Sequence, residues 1–140
     1  LRGKWIAVYF YPKADTPGCT KEACEFRDNI FAFEEIGATV IGISIDAIKD
    51  QKKFAAKYSL PFPLLADIDG KTAGAYGVLN NLGIMKIAKR QSFLIGPDGR
   101  IARHYEKVDP ATHSKEVLAD LKALSGQDQA GKDQGAKKPG

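Results

Sequence analysis

Residues 5–28 read WIAVYFYPKADTPGCTKEACEFRD, and this stretch decides the fold. Trp5 to Tyr11 is an unbroken apolar and aromatic run, the pattern of a strand buried on both faces. Pro12 ends it. From Thr20 onward, Ala23, Phe26, Ile30 and Phe33 recur at three- and four-residue steps. They mark one apolar face of a helix that begins near Pro17 and Cys19 and that Gly37 can terminate. A second apolar run, Ala38 to Ile45, follows as a strand, and Asp46 to Tyr58 as a helix with Phe54 and Tyr58 on one side. Strand, helix, strand, helix in that order implies right-handed crossovers and an α/β layout with a parallel core.

Working outward, Leu64 to Ala66 reads as a short strand after Pro61 and Pro63, and Asp67 to Gly70 as a turn. Ser92 to Ile95 and Arg100 to Tyr105 flank Gly96-Pro97-Asp98-Gly99, a hairpin signal. A last helix is expected from about Thr112, with Val117, Leu118, Leu121 and Leu124 as its buried stripe and Ser125-Gly126 as its end. Gln127 to Gly140 carries no large apolar residue, so residues 125–140 are expected to form a disordered polar tail behind one domain, residues 1–124. No internal repeat is visible.

The chain has 140 residues, 44% of them hydrophobic, enough for one domain with its own core. Its net charge is +4, but the basic residues are scattered among Asp and Glu, with no basic stripe and interleaved aromatics, which argues against nucleic-acid binding. The apolar runs are far shorter than the roughly 20 residues that cross a bilayer, so no membrane role is expected. The chain opens on Leu1 and a charged Arg2-Gly3-Lys4, and a natural N-terminal segment is expected ahead of it. Two cysteines are too few for a secreted disulfide scaffold. A cytoplasmic setting fits them best, and an organelle would require a targeting segment ahead of Leu1.

The chemistry concentrates where the first strand passes into the first helix, the position at which open α/β sheets place their sites. Cys19 falls in the first helical turn, where unpaired backbone N–H groups and the positive end of the helix dipole favour a thiolate. Flanked by Pro-Gly and Thr-Lys-Glu, it lies in a polar turn where burial is a poor explanation. Thr16 can cap that turn and aim its hydroxyl at the sulfur or a bound oxygen. Cys24, beside Ala23, read alone is core packing. On an intact helix five residues separate two Cα atoms by roughly 8 to 9 Å and turn them about 140° apart. A disulfide needs less than about 7 Å. If the two cysteines react with one another, the helix must unwind first. Glu22 is expected as a surface acid near a helix start, with orientation of Arg90 or of a proton as its alternative role. Lys21 and Glu25 form a four-apart pair.

The segment Tyr9 to Asp28 closely resembles the active-site region of peroxiredoxins of the Q type, the bacterioferritin comigratory protein group. Further matches are Gly42 to Asp46 (GISID), Pro61 to Asp67 (PFPLLAD), Tyr76-Gly77-Val78, and Arg90 with Ser92 to Ile95. The resemblance spans residues 1–124. It implies a thioredoxin-like fold with a central mixed β-sheet flanked by helices. It also implies reduction of hydrogen peroxide and organic hydroperoxides without metal or organic cofactor, recycling by thioredoxin or a related dithiol, and a monomer. Carried over by position, Cys19 attacks the peroxide, Cys24 resolves the sulfenic acid, Thr16 polarises the peroxide, Arg90 stabilises thiolate and leaving oxygen, and Pro12 completes the motif. The family's N-terminal strand hairpin has no counterpart here, nor has the polar tail a counterpart there.

Two other classes of protein share part of this pattern. A thiol-disulfide oxidoreductase normally uses C-x-x-C, which C-x-x-x-x-C fits poorly. A binding module that keeps the fold is disfavoured by an intact nucleophile, cap and resolver. His104 and His113 are not in ligand spacing with the cysteines and read as surface residues, so no metal site is expected. Nucleotide-binding glycine patterns are absent.

Overall fold

A computed structural model describes residues 3–81 and 86–136. Five strands form one mixed sheet in the order β3-β2-β1-β6-β7. At its centre β1 (Trp5–Phe10) pairs in parallel with β2 (Ala38–Ser44) and antiparallel with β6 (Gln91–Ile95). Outside them lie β3 (Leu64–Ala66), parallel to β2, and β7 (Ile101–Tyr105), antiparallel to β6. β4 (Leu79–Asn81) and β5 (Lys86–Ala88) make a separate two-stranded ribbon.

Alternation along β1 divides the core. Ala7, Tyr9 and Tyr11 point into a cluster with Phe26, Phe33, Phe54 and Leu121, while Val8 and Phe10 face Ile41, Val78 and Phe93 on the other side. The first cluster is covered by α1 (Pro17–Asp28), α2 (Ile30–Ile36), α3 (Ile48–Lys57) and α5 (His113–Ala136), and the second by α4 (Lys71–Ala75) and the β4–β5 ribbon. The run 5–11 is thus a strand buried on both faces, as its composition requires. Gly42 on β2 makes room for it. A Cβ there would lie 2.8 Å from Tyr9 Cζ and from Leu64 Cδ2.

Several boundaries differ from the sequence reading. The first helix is two, broken at Asn29, whose side-chain amide donates to the Glu25 carbonyl and to Ser114 Oγ. Such local side-chain bonding competes with helix continuation. Gly37, at φ 81°, closes α2 as expected. Helix α5 does not stop at Ser125-Gly126 but runs to Ala136. A helix already nucleated by a packed first half propagates through Gln, Asp, Ala and Lys at one hydrogen bond per residue, and the first proline is Pro139. Helix α5 thus extends past the end expected at Ser125-Gly126, and residues 137–140 lie outside the described residues. The family-like reading of a mixed sheet stands, since β6 runs against the parallel β1–β2–β3 half and pairs antiparallel on both its sides, with β1 and with β7.

Candidate active site

Strand β1 and strand β6 bring the two halves of the site together. β1 delivers the chain through Pro12 to the start of α1, with Pro17 at the first helical position, where its missing N–H costs nothing and its fixed φ suits the helix. β6 begins at Gln91, opposite Phe10, so Arg90 stands beside the C-terminal end of β1. The guanidinium bridges two residues of α1. Its Nη2 donates to Cys19 Sγ at 3.2 Å, and its Nη1 to Glu22 Oε1 at 2.8 Å. Gly18 is what lets the guanidinium approach, because a Cβ there would meet Nη2 at 3.0 Å.

Cys19 is 1% exposed, against the expectation of an exposed polar turn. The turn is polar, but the Arg90 side chain lies over it. Glu22 is not a surface acid either. It is fully buried, and Oε2 finds no hydrogen-bond partner among the described residues. Burial pushes its carboxyl up to about 7, an effect that the neighbouring Arg90 charge and hydrogen bond only partly oppose. The signal was available in the spacing. Cys19, Glu22, Ala23 and Phe26 form one buried stripe at steps of three, one and three, so Glu22 sits on the apolar face of its own helix.

Thr16 is the helix-capping residue by backbone conformation, at φ −92° and ψ 156°, but its side chain makes no cap hydrogen bond. Its hydroxyl donates to the Lys13 carbonyl at 2.8 Å instead. The first N–H groups of α1 have no intrahelical partner, so those at Gly18 and Cys19 are left to a bound anion or oxygen. Pro12, half-buried, ends β1 and starts the loop.

Cys24 is partly exposed and on a different side of α1 from Cys19. It lines an open pocket with Asp15, Pro17, Thr20, Lys21, Lys57 and Tyr58. Both thiols are free and both lie on unbroken helix. Sequence reasoning missed the supports of the loop. Asp46 Oδ2 accepts the Ala14 N–H at 2.7 Å and the Ser44 hydroxyl at 2.7 Å. Gln51, buried one turn before Phe54 on α3, joins Ser44, the Leu65 carbonyl and the Tyr11 hydroxyl. His113 is buried rather than exposed, its Nε2 on Ser92 Oγ at 2.8 Å and its Nδ1 on Glu116 Oε1 at 3.0 Å. His104 stacks on Phe93 with ring centroids 4.3 Å apart. Among the described residues, no group of three or more His, Cys, Asp or Glu side chains could hold a metal ion, and no helix is long and apolar enough to cross a membrane.

A cysteine in the first turn of a helix, touched by an arginine that immediately precedes a central strand, is an arrangement that suits thiol-based redox chemistry. Comparison with known proteins gives it a family. Residues 1–104 match the AhpC/TSA family. The chain is 43% identical over 128 residues to Peroxiredoxin Bcp of Bacillus subtilis, covering 89% of this chain and 82% of that one. It is 40% identical over 125 residues to the chloroplastic Peroxiredoxin Q of Sedum lineare, covering 89% and 67%. Among solved structures, the Xanthomonas campestris bacterioferritin comigratory protein, studied for its alkyl peroxide reduction activity, superposes with a TM-score of 0.82 at 36% identity, covering 89% of this chain and 82% of its own. The chain belongs to the AhpC/TSA family and is a peroxiredoxin, a thiol-dependent peroxidase on a thioredoxin-like fold.

Proposed function

We propose that this peroxidase reduces hydrogen peroxide and organic hydroperoxides with Cys19 as nucleophile and Cys24 as resolver, and that thioredoxin or a similar dithiol protein recycles it as a monomer. The observation that carries the assignment is the 3.2 Å contact between the Arg90 guanidinium and Cys19 Sγ at the N-terminus of α1. A fixed cation lies against the sulfur, and unpaired N–H groups open at the same end of the helix. They stabilise charge that develops on the oxygen as the O–O bond breaks.

The Cys19 thiolate attacks one peroxide oxygen, the O–O bond breaks, and the other oxygen leaves as alkoxide or hydroxide and takes a proton to become alcohol or water. Cys19 is left as sulfenic acid. Thr16 has committed its proton to the Lys13 carbonyl, so toward a peroxide it acts as an acceptor, holding the peroxide O–H. The Cys24 thiol then attacks the sulfenic sulfur, forming the disulfide and releasing water, and a reduced dithiol returns both cysteines to thiols as it becomes a disulfide itself. Pro12 sets the direction of the chain into the loop, and Glu22 orients Arg90 through its Nη1.

The test is stopped-flow reaction of the reduced protein with hydrogen peroxide in the presence of a thioredoxin system. Cys19→Ser is expected to abolish turnover; undiminished turnover in that variant would exclude the mechanism. Cys24→Ser is expected to consume one equivalent of peroxide and accumulate sulfenic acid at Cys19.

A further inference from the structure

Residue Asp15 is the last before the capping Thr16, and it is held from outside its own loop. Its backbone is left-handed, at φ 61°, a conformation that Asp tolerates better than most side chains but that needs external support. That support comes from the end of α3. Lys57 Nζ donates to both Asp15 carboxylate oxygens, at 3.2 and 3.0 Å, and the Tyr58 hydroxyl donates to Oδ1 at 3.0 Å. The same turn of α3 also reaches the far side of the cysteine pair. Arg27 Nη1 donates to the Tyr58 carbonyl at 2.8 Å. Residues 57 and 58 thus grip the chain on both flanks of the segment 16–26, and Cys24 opens onto the pocket that Asp15, Lys57 and Tyr58 line.

Within segment 16–26, residues 16–24 are the part of the fold that must rearrange if Cys19 and Cys24 are to join. Beyond it the helix is anchored, since Phe26 is fully buried and stacks on Tyr9 at 4.8 Å between centroids. We propose that Asp15, Lys57, Tyr58 and Arg27 form a latch whose contacts favour the helical, peroxide-reactive form of the segment and so set how often Cys24 comes within reach of the oxidised Cys19. These four are positioning residues for the resolving step, acting through the helix. The proposal rests on the reading of Cys24 as resolver.

The contacts are exposed, which fixes the size of the effect. Surface pairs of this kind shift a local equilibrium by roughly two- to fivefold. When the helical form dominates, such a shift hardly changes its population but multiplies that of the minor, unwound form. Loss of the latch therefore leaves the peroxide step unchanged and speeds disulfide formation. Sulfenic acid that waits in the folded site is open to a second peroxide and oxidation to sulfinic acid, so faster resolution also lowers that by-product.

The experiment measures, by mass spectrometry at a series of peroxide concentrations, the ratio of Cys19–Cys24 disulfide to Cys19 sulfinic acid in Asp15→Asn, Tyr58→Phe, Lys57→Met and Lys57→Arg. Asn accepts the left-handed backbone, so Asp15→Asn removes the charge without disturbing the turn. A ratio raised two- to fivefold in the first three, with the peroxide rate constant at the wild-type value and Lys57→Arg restored to the wild-type ratio, supports the latch. A merely structural role would lower the melting temperature and leave the ratio alone. Unchanged ratios in variants that still form the bridge overturn the latch while sparing the resolver. Absence of any Cys19–Cys24 bridge in the oxidised wild-type protein overturns both.

Discussion

Arg90 serves Cys19 and Glu22 with two separate nitrogens, and a single ammonium cannot reproduce that fork. Arg90→Lys is therefore expected to slow the peroxide step about 100-fold or more, the usual cost of losing one donor to developing charge. Stopped-flow oxidation of the reduced protein reads it, and a rate within threefold of wild type would remove Arg90 from the mechanism. Gly18→Ala should act through the same contact. The added Cβ displaces Nη2 from the sulfur, so the peroxide rate is expected to fall while the unfolding midpoint stays near that of wild type. Glu22 makes a pH-dependent contribution of definite sign. Its carboxyl is near 4.5 when unfolded and pushed up to about 7 when folded, so the native state holds the extra proton between those values. The stabilisation relative to ionised Glu22 is complete below about 4.5 and lost as pH rises through 7. Denaturant unfolding of wild type and Glu22→Gln should therefore diverge in the variant's favour across that range; a difference independent of pH would contradict the assignment.

Among the elements, α1 carries the demand for movement. Both cysteines lie on regular helix, five residues and about 140° apart, so a bridge between them requires the turns from Pro17 to Cys24 to open. Oxidation with one equivalent of peroxide should raise amide exchange in residues 18–24 while residues 26–28, anchored by Phe26, stay protected. Unaltered exchange alongside a formed bridge would sink the idea. This condition was legible in the sequence, because helix phase and cysteine spacing are properties of local order. So were β1, β2 and the hairpin at 96–99, whose apolar runs and turn residues speak for themselves. Helix α4 and the β4–β5 ribbon were not, since elements of three to five residues leave too few positions for a period to show. Nor was the reach of Arg90, which depends on a register between strands some eighty residues apart.

At the scale of the whole molecule, His113 joins the last helix to the sheet. It bonds Ser92 on β6 and lies edge-on to Phe26 of α1 and Tyr105 of β7, with centroids 6.0 and 4.9 Å away. Burial depresses its ionisation below the usual 6.5, against the pull of Glu116. The unfolded chain therefore takes up a proton more readily, and the contribution of His113 to native stability is full above about 6.5 and falls as the solution is acidified below it, opposite in sign to that of Glu22. His113→Asn is expected to flatten that decline in unfolding experiments between pH 5 and 7; an equally steep decline in the variant would place its origin elsewhere. The sequence reading put this histidine on the surface because a lone His near a helix start carries no local mark of burial. Its partners come from β6 and from one turn further along α5, and only the assembled fold brings them together.

The cation of the site is fastened to the sheet, while the sulfur travels with the helix. When α1 opens to let Cys19 reach Cys24, Arg90 has no reason to leave, and the buried Glu22, one turn along the moving helix, loses its partner along with the cysteine. In the proposed Cys19–Cys24 cycle each turnover thus breaks the site into a stationary half and a wandering half, and reduction lets the wanderer fall back onto an unmoved mould. Recovery in that cycle is a docking event with a fixed address, in which a few helical turns rewind onto a charge that was never dismantled.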